Sequence, residues 1–282
     1  MSLVSIKNML QKAQEEKYAV GTFNVENMEM IQAVIGAAEE LKAPVILQTT
    51  PSTLKYANPE LFFANVSVLA SQTEIPIAIH LDHGDSFEIV TKAFRAGYTS
   101  VMIDGSKYSL DENVKLTKKV VDLCSPLKVS VEAELGSIGG KEDSLAAENI
   151  YTRPEEAAFF VSETKIDALA VAIGTAHGVY KSKPKIDIDR LKEIHQLVDV
   201  PLVLHGTSGV PDEIVMQCIE NGICKVNYAT DLRVAFTKGV TSLLQEDNEV
   251  YDPKKYITKA REEVKNYVTR IIKVCGCAGK AI

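Results

Sequence analysis

The chain has 282 residues, 46% hydrophobic and 24% charged, with 16 glycines and 10 prolines, which excludes a disulfide-stapled miniprotein and a low-complexity chain and allows one large core. Thirty-one Lys and Arg against 38 Asp and Glu leave a net charge of −7, which excludes the broad basic footprint of a nucleic-acid binder but not a small phosphorylated ligand. Apolar runs such as Ala168–Ile173 are far shorter than the ~20 residues of a membrane helix, so no membrane partner is expected.

Met1 to Lys17 mixes Lys, Glu and Gln with Leu and Ile and offers neither an apolar h-region nor a small-residue cleavage site, so export is not expected. From there short β-branched runs alternate with helix-patterned segments, the mark of parallel strands joined by crossover helices. Strands are predicted at Ala19–Val25, Pro44–Gln48, Ile77–Leu81, Ser100–Ile103, Lys128–Ala133, Ala168–Ile173, Pro201–Leu204 and Lys225–Tyr228. Ile31, Val34, Ile35 and Ala38 recur at helical spacing within Met28–Leu41, as do Ile188, Leu191, Ile194, Leu197 and Val198 within Asp187–Val198. Helix starts are read at Asn58-Pro59, at Thr152-Arg153-Pro154-Glu155 with Thr152 as the cap, and at Val210-Pro211-Asp212-Glu213.

Eight strand–helix units in a chain of this size predict an α/β fold, a single (β/α)8 TIM barrel over residues 1–282 with a C-terminal helical extension through Pro253–Val274. A doubly wound sheet is the alternative, but Phe23-Asn24-Val25 ends the first strand without a Gly-rich dinucleotide turn. The five cysteines (Cys124, Cys218, Cys224, Cys275, Cys277) are odd in number and scattered, which fits reduced thiols in a cytoplasmic setting.

In a barrel, chemistry sits where the strands end. His80-Leu81-Asp82-His83-Gly84 follows the third strand, Ile103-Asp104-Gly105 the fourth and Glu132-Ala133-Glu134 the fifth. Gly174 to Lys181 follows the sixth, His205-Gly206-Thr207-Ser208-Gly209 the seventh and Asn227-Tyr228-Ala229-Thr230 the eighth. His83, His177 and His205 come from three different strand ends, and three imidazoles with an open position are the arrangement of a catalytic zinc. Each could instead be a hydrogen-bonded structural residue. The Gly206–Gly209 turn is read as opening a helix whose N-terminus favours phosphate, with Asn227, Thr230 and Lys181 beside it. Asp82 is placed either to move a proton or to orient its histidine neighbour. The glycine-rich Gly136–Ser144 reads either as a lid carrying a proton-transferring Glu142 or as an ordinary solvated loop.

These segments resemble the signatures of class II, metal-dependent ketose-bisphosphate aldolases over nearly the whole chain. The resemblance implies a zinc barrel that cleaves a ketose 1,6-bisphosphate to dihydroxyacetone phosphate and an aldehyde. His83, His177 and His205 would hold the zinc, Asp82 would exchange the C4 hydroxyl proton, and Glu142 would move the C3 proton. Asp104 and Glu134 match positions that hold a second or displaced metal ion. Gly178, Gly206, Thr207, Ser208, Asn227, Tyr228, Ala229 and Thr230 match the dihydroxyacetone phosphate segments, near which the family binds Na+ or K+. The family also implies a homodimer or homotetramer, in some members with an accessory subunit. Where the fructose-bisphosphate branch has Asp, this chain has Ala229, which is more similar to the tagatose-bisphosphate branch.

A Schiff-base route would need a desolvated lysine on a barrel strand, and the only strand lysines, Lys128 and Lys225, are expected at strand ends. A metal-dependent hydrolase, a non-catalytic sugar-phosphate-binding subunit and an aldolase for another phosphorylated ketose are the alternative readings. The hydrolase reading lacks a His-x-His on the first strand.

Overall fold

A computed structural model describes residues 3–142, 145–147, 150–178, 180 and 184–281. Eight parallel strands close into a barrel: β1 (Val20–Asn24), β2 (Val45–Thr49), β3 (Ile77–Gly84), β4 (Ser100–Ile103), β5 (Ser130–Leu135), β8 (Ala168–Val171), β10 (Leu202–Leu204) and β11 (Ile223–Tyr228). Around the ring the order is β1, β11, β10, β8, β5, β4, β3, β2, which is sequential once three short strands are set apart. Those three, β6 (Gly139–Glu142), β7 (Leu145–Ala147) and β9 (Ala176–His177), form a small separate sheet in the order β7, β6, β9. All eight predicted strands are found, with ends displaced by a few residues.

The helices follow in chain order: α1 (Ile6–Glu16), α2 (Met28–Glu40), α3 (Pro51–Tyr56), α4 (Pro59–Ala70), α5 (Phe87–Ala96), α6 (Leu110–Cys124), α7 (Pro154–Thr164), α8 (Ile188–Leu197), α9 (Asp212–Glu220), α10 (Thr230–Glu246) and α11 (Pro253–Val274). Asn27, Ser86, Ser109 and Asp187 cap their helices by accepting from the first-turn backbone, and Pro59 takes the first position of α4. At α7 the cap is Arg153 instead of the predicted Thr152. The Thr152 hydroxyl goes elsewhere, donating to the Leu135 carbonyl and accepting from Ala172 N–H, so it ties β5 to the chain leaving β8.

α1 covers the N-terminal mouth of the barrel. Its Ile6, Met9, Leu10 and Ala13 are buried, Val4 N–H donates to Ile77 O at the start of β3, and Lys7 N–H donates to Ser130 Oγ. The predicted C-terminal helix is α11, which packs on α10 and α2 and buries Ala260, Val264, Val268, Ile271 and Ile272. One end of the barrel is thus sealed by apolar packing, and chemistry is confined to the carboxyl ends of the strands. Among the described residues, no helix is long and apolar enough to cross a membrane.

Candidate active site

Strand alternation decides which side chains enter the barrel. Asn24, Gln48, His80, Asp82, Glu132, Lys225 and Asn227 are all buried, and their mutual hydrogen bonds place them inside the ring. By the same alternation His83 would point outward. A left-handed backbone at His83 (φ 46°) and a register shift between Leu81 and Gly84 turn it into the mouth. His205 directly follows β10, and His177 lies on β9, where Gly140 of β6 pairs with it. The segment read as a lid or a solvated loop therefore forms a strand that holds a histidine-bearing strand in register.

The three imidazoles converge. Ring centroids of His83 lie 5.0 Å from His177 and 4.7 Å from His205, and those of His177 and His205 are 6.1 Å apart. His83 Nδ1 is 2.9 Å from Asp104 Oδ2, His205 Nε2 is 2.8 Å from Glu132 Oε1, and His205 Nδ1 faces His83 Nε2 at 2.8 Å. Burial opposes ionisation of both carboxyl groups. Against it, His83 and Ser106 hold Asp104 well below the usual carboxylate range, and Lys225 and His205 do the same for Glu132. Ionised carboxylates only accept, so His83 carries its proton on Nδ1 and His205 on Nε2. The facing nitrogens, 2.8 Å apart, are then joined by positive charge, which either a further proton on one ring or a bound cation supplies. This donor set fits a metal ion bound by His83, His177 and His205, each of the first two carboxylates orienting one ring from behind. His83, Asp104 and Glu134 form a second such group.

Asp82 stands beside the histidines in a cage of amides. Asn24 Nδ2 and Gln48 Nε2 each donate to Oδ2 at 2.9 Å, and Asn227 Nδ2 approaches Oδ1 at 3.3 Å. Gln48 Nε2 also reaches Asn24 Oδ1 at 2.7 Å, so the two amides brace one another. Three donors and no acceptor leave a carboxylate of fixed orientation, suited to taking and returning one proton.

Next to it, Gly178, Gly206, Thr207, Ser208, Asn227, Ala229 and Thr230 line one pocket with Asp82 and the three histidines. Gly206 has φ 64°, and a Cβ there would come within 2.7 Å of the Ala176 backbone, so only glycine lets the two loops meet. The helix end at this pocket is not the one expected. α9 starts at Asp212, beyond the Gly206–Gly209 turn, with two acids in its first turn. It is α10 whose N-terminus opens on the pocket: its cap, Ala229, has no side-chain group to bond the first turn, and Asp231 N–H donates to Ser208 Oγ of the same pocket.

Tyr228 is not brought into the pocket. It follows Asn227 on β11, so its ring faces outward, stacked on Phe23 at 6.2 Å and edge-on to Tyr267 of α11 at 6.0 Å. Lys181 lies outside the described residues, and for Glu142 only the backbone in β6 is described. Lys225 is not at a strand end, since β11 begins at Ile223 and Lys225 is fully enclosed in the barrel. Sequence reasoning also passed over Asn24, Gln48 and Arg233. The first two sit at the ends of β1 and β2, where the survey applied to the later strands would have found them. Arg233, on α10 at the pocket rim, is held by Glu26, whose other oxygen accepts from Thr53.

A profile of the class II fructose-bisphosphate aldolase family matches residues 4–280, and the chain belongs to that family. Among solved structures it is similar to the YdjI aldolase of Escherichia coli K12, with 37% identity and a TM-score of 0.88 over 99% of this chain and 100% of that one. A Coccidioides immitis protein, provisionally a fructose-1,6-bisphosphate aldolase, matches at 31% identity and a TM-score of 0.88, covering 97% of this chain and 96% of its own. The fructose-bisphosphate aldolase of Campylobacter jejuni shares the fold at 22% identity, a TM-score of 0.85, and coverage of 99% and 97%.

The buried rings make metal-free stability depend on pH. Burial pushes His80 and His205 below their ordinary 6.5, aided at His80 by the charge of Lys225 and opposed at both rings by Glu132. The unfolded chain therefore takes up protons on these rings that the folded chain refuses, and stability falls as pH drops through about 6.5. Glu132, held low, adds a further loss below its ordinary 4.5. Urea midpoints of chelator-treated protein are expected to be level from about pH 8 to about pH 7 and to fall progressively toward about pH 5. A level midpoint throughout that range would mean that the rings are open to protons in the folded state.

Proposed function

We propose that the protein is a zinc-dependent aldolase that reversibly cleaves a ketose 1,6-bisphosphate to dihydroxyacetone phosphate and glyceraldehyde 3-phosphate, with tagatose 1,6-bisphosphate preferred to fructose 1,6-bisphosphate. The observation that carries this reading is the pairing of an amide-caged carboxylate, Asp82, with three convergent imidazoles whose nitrogens are close enough to share one metal ion. A divalent metal held by His83, His177 and His205 supplies Lewis acidity to the substrate carbonyl, where cleavage leaves negative charge.

The protein's own groups then divide the work. Asp82 takes the proton of the C4 hydroxyl as the carbon–carbon bond breaks and returns it in the condensation direction. Glu142 moves the proton at C3. Gly178, Gly206, Thr207, Ser208, Asn227 and Thr230, with Lys181 and the α10 N-terminus, hold the phosphate of the three-carbon half. A monovalent cation, Na+ or K+, would add positive charge near that phosphate, and Asp104 and Glu134 with His83 could hold a second metal ion. Ala229 beside Asn227 leaves out the carboxylate that a fructose-selective site uses, which supports the tagatose preference. The assembly is a homodimer or homotetramer in the cytoplasm, and an accessory subunit fits the family.

Release of triose phosphate from purified protein tests these assignments. Chelation is expected to abolish it and added Zn2+ to restore it; full activity in metal-free protein would remove zinc from the account. Asp82→Ala is expected to lower kcat by about 10²–10⁴ while metal content stays unchanged. Wild-type turnover in that variant would assign the proton to another group. Side by side, tagatose 1,6-bisphosphate is expected to show the higher kcat/KM, and equal values would show that Ala229 carries no information on the sugar.

A further inference from the structure

Beneath the three histidines the barrel interior is crossed by an ion pair that takes no part in the chemistry above. Lys225 on β11 and Glu132 on β5 are fully enclosed, and Lys225 Nζ lies 2.9 Å from Glu132 Oε2. The other carboxylate oxygen, Oε1, accepts from His205 Nε2 at 2.8 Å, and Lys225 Nζ donates to Asn227 Oδ1, also at 2.8 Å. His80 packs on the same carboxylate, its Nε2 3.6 Å from Oε2 and its Nδ1 2.7 Å from Ser100 Oγ. Taking an ammonium and a carboxylate wholly out of water is expensive, and an apolar pair of similar volume would commonly serve stability as well or better. The pair therefore calls for a role other than stability.

We propose that Lys225 is a positioning residue that locks the metal-holding side and the substrate-binding side of the site into one geometry, acting on His205 through Glu132 and on Asn227 directly. The proposal rests on the metal reading of the three histidines. With the ammonium on Oε2, Oε1 is left as the acceptor for His205 Nε2–H. That bond fixes the rotation of the ring and aims Nδ1 at His83 Nε2, 2.8 Å away. Asn227 is oriented by a different bond. The two ends of its amide are nearly alike in shape, so its partners decide which end faces the site. Lys225 takes the oxygen, which leaves Nδ2 between Asp82 Oδ1 at 3.3 Å and His205 Nε2 at 3.1 Å. One buried cation thus sets a metal-side ring and a substrate-side amide that come from different strand ends.

Zn2+ affinity, read by competition with a chromogenic chelator, and the ring 15N shifts of His205 in metal-free protein test this without reference to turnover. Lys225→Met is expected to bind Zn2+ about 10–100-fold more weakly, the usual cost of losing a ligand's supporting partner, and to lose the single Nε2–H form of His205. Breaking one side of a buried pair can also unfold a protein, so the double variant Lys225→Met/Glu132→Gln carries the test in that event. Its amide oxygen still accepts from His205 and no charge is left buried. It is expected to fold, to bind Zn2+ close to the wild-type affinity, and to lose roughly tenfold in kcat/KM because Asn227 has lost one hydrogen bond. A folded Lys225→Met protein with unchanged Zn2+ affinity and unchanged His205 shifts would overturn the proposal, as would a double variant with wild-type kcat/KM. A wild-type protein without Zn2+ affinity would instead overturn the metal reading and take the proposal with it.

Discussion

Two imidazole nitrogens 2.8 Å apart, each with its proton drawn to the far side of the ring by a carboxylate, form the constraint on which the mouth of this barrel depends. Nitrogens that close need positive charge between them, a proton or a metal ion, so the site concentrates a demand for positive charge where the strands end. What lies behind the rings follows from that demand. Asp104 and Glu132 are held ionised, and ionising a group as buried as Glu132 requires a cation beside it. Lys225 provides that charge and, having further donors, also takes the Asn227 carbonyl. From Asn227 the bonds run on to Asp82 and its two amides, Asn24 and Gln48.

Rigid and irregular elements contribute different things to this site. Asp82, Glu132 and Asn227 lie on barrel strands, where alternation fixes their direction without special geometry. The three clustered histidines are less regular. His83 needs a left-handed residue and a register shift, His205 needs the tight approach that Gly206 permits, and His177 belongs to a small sheet outside the ring. A cage for one carboxylate is thus built into the scaffold, while the three imidazoles hang from segments that cross-brace one another. Tyr180 shows the bracing: its hydroxyl accepts from Ala176 N–H and donates to Gly206 O, joining the His177 and His205 segments.

How much of this could be read in the sequence differs by layer. All eight barrel strands carry apolar runs bounded by turn residues, and a strand buried on both faces leaves a strong signal. The residues after strands three to eight named the three histidines, Asp82 and most of the pocket lining. The failures share a cause: sequence position does not encode direction. Tyr228 was grouped with Asn227 because they are adjacent, yet neighbours on a strand point to opposite faces. Lys225 was placed at a strand end because a lysine weakens the apolar signal, and β11 starts two residues earlier than that signal. Thr152 has the chemistry of a cap, but its hydroxyl is spent on joining two strands. The small sheet was invisible, since a Gly-rich run and a two-residue strand carry almost no periodicity.

Finding a lysine inside the barrel reopens the choice between the two ways an aldolase can absorb the electrons of carbon–carbon cleavage. A Schiff base needs an amine that is neutral, reachable and facing the carbonyl. Lys225 meets none of these conditions. Its ammonium is paired with an ionised carboxylate 2.9 Å away, a further bond goes to Asn227, and it is fully enclosed within the barrel. Freeing it for attack would leave Glu132 without its cation and His205 without a fixed ring. The arrangement that makes the histidine cluster fit for a metal is therefore the same one that keeps the lysine from acting as a nucleophile, and the two mechanisms exclude each other within this interior.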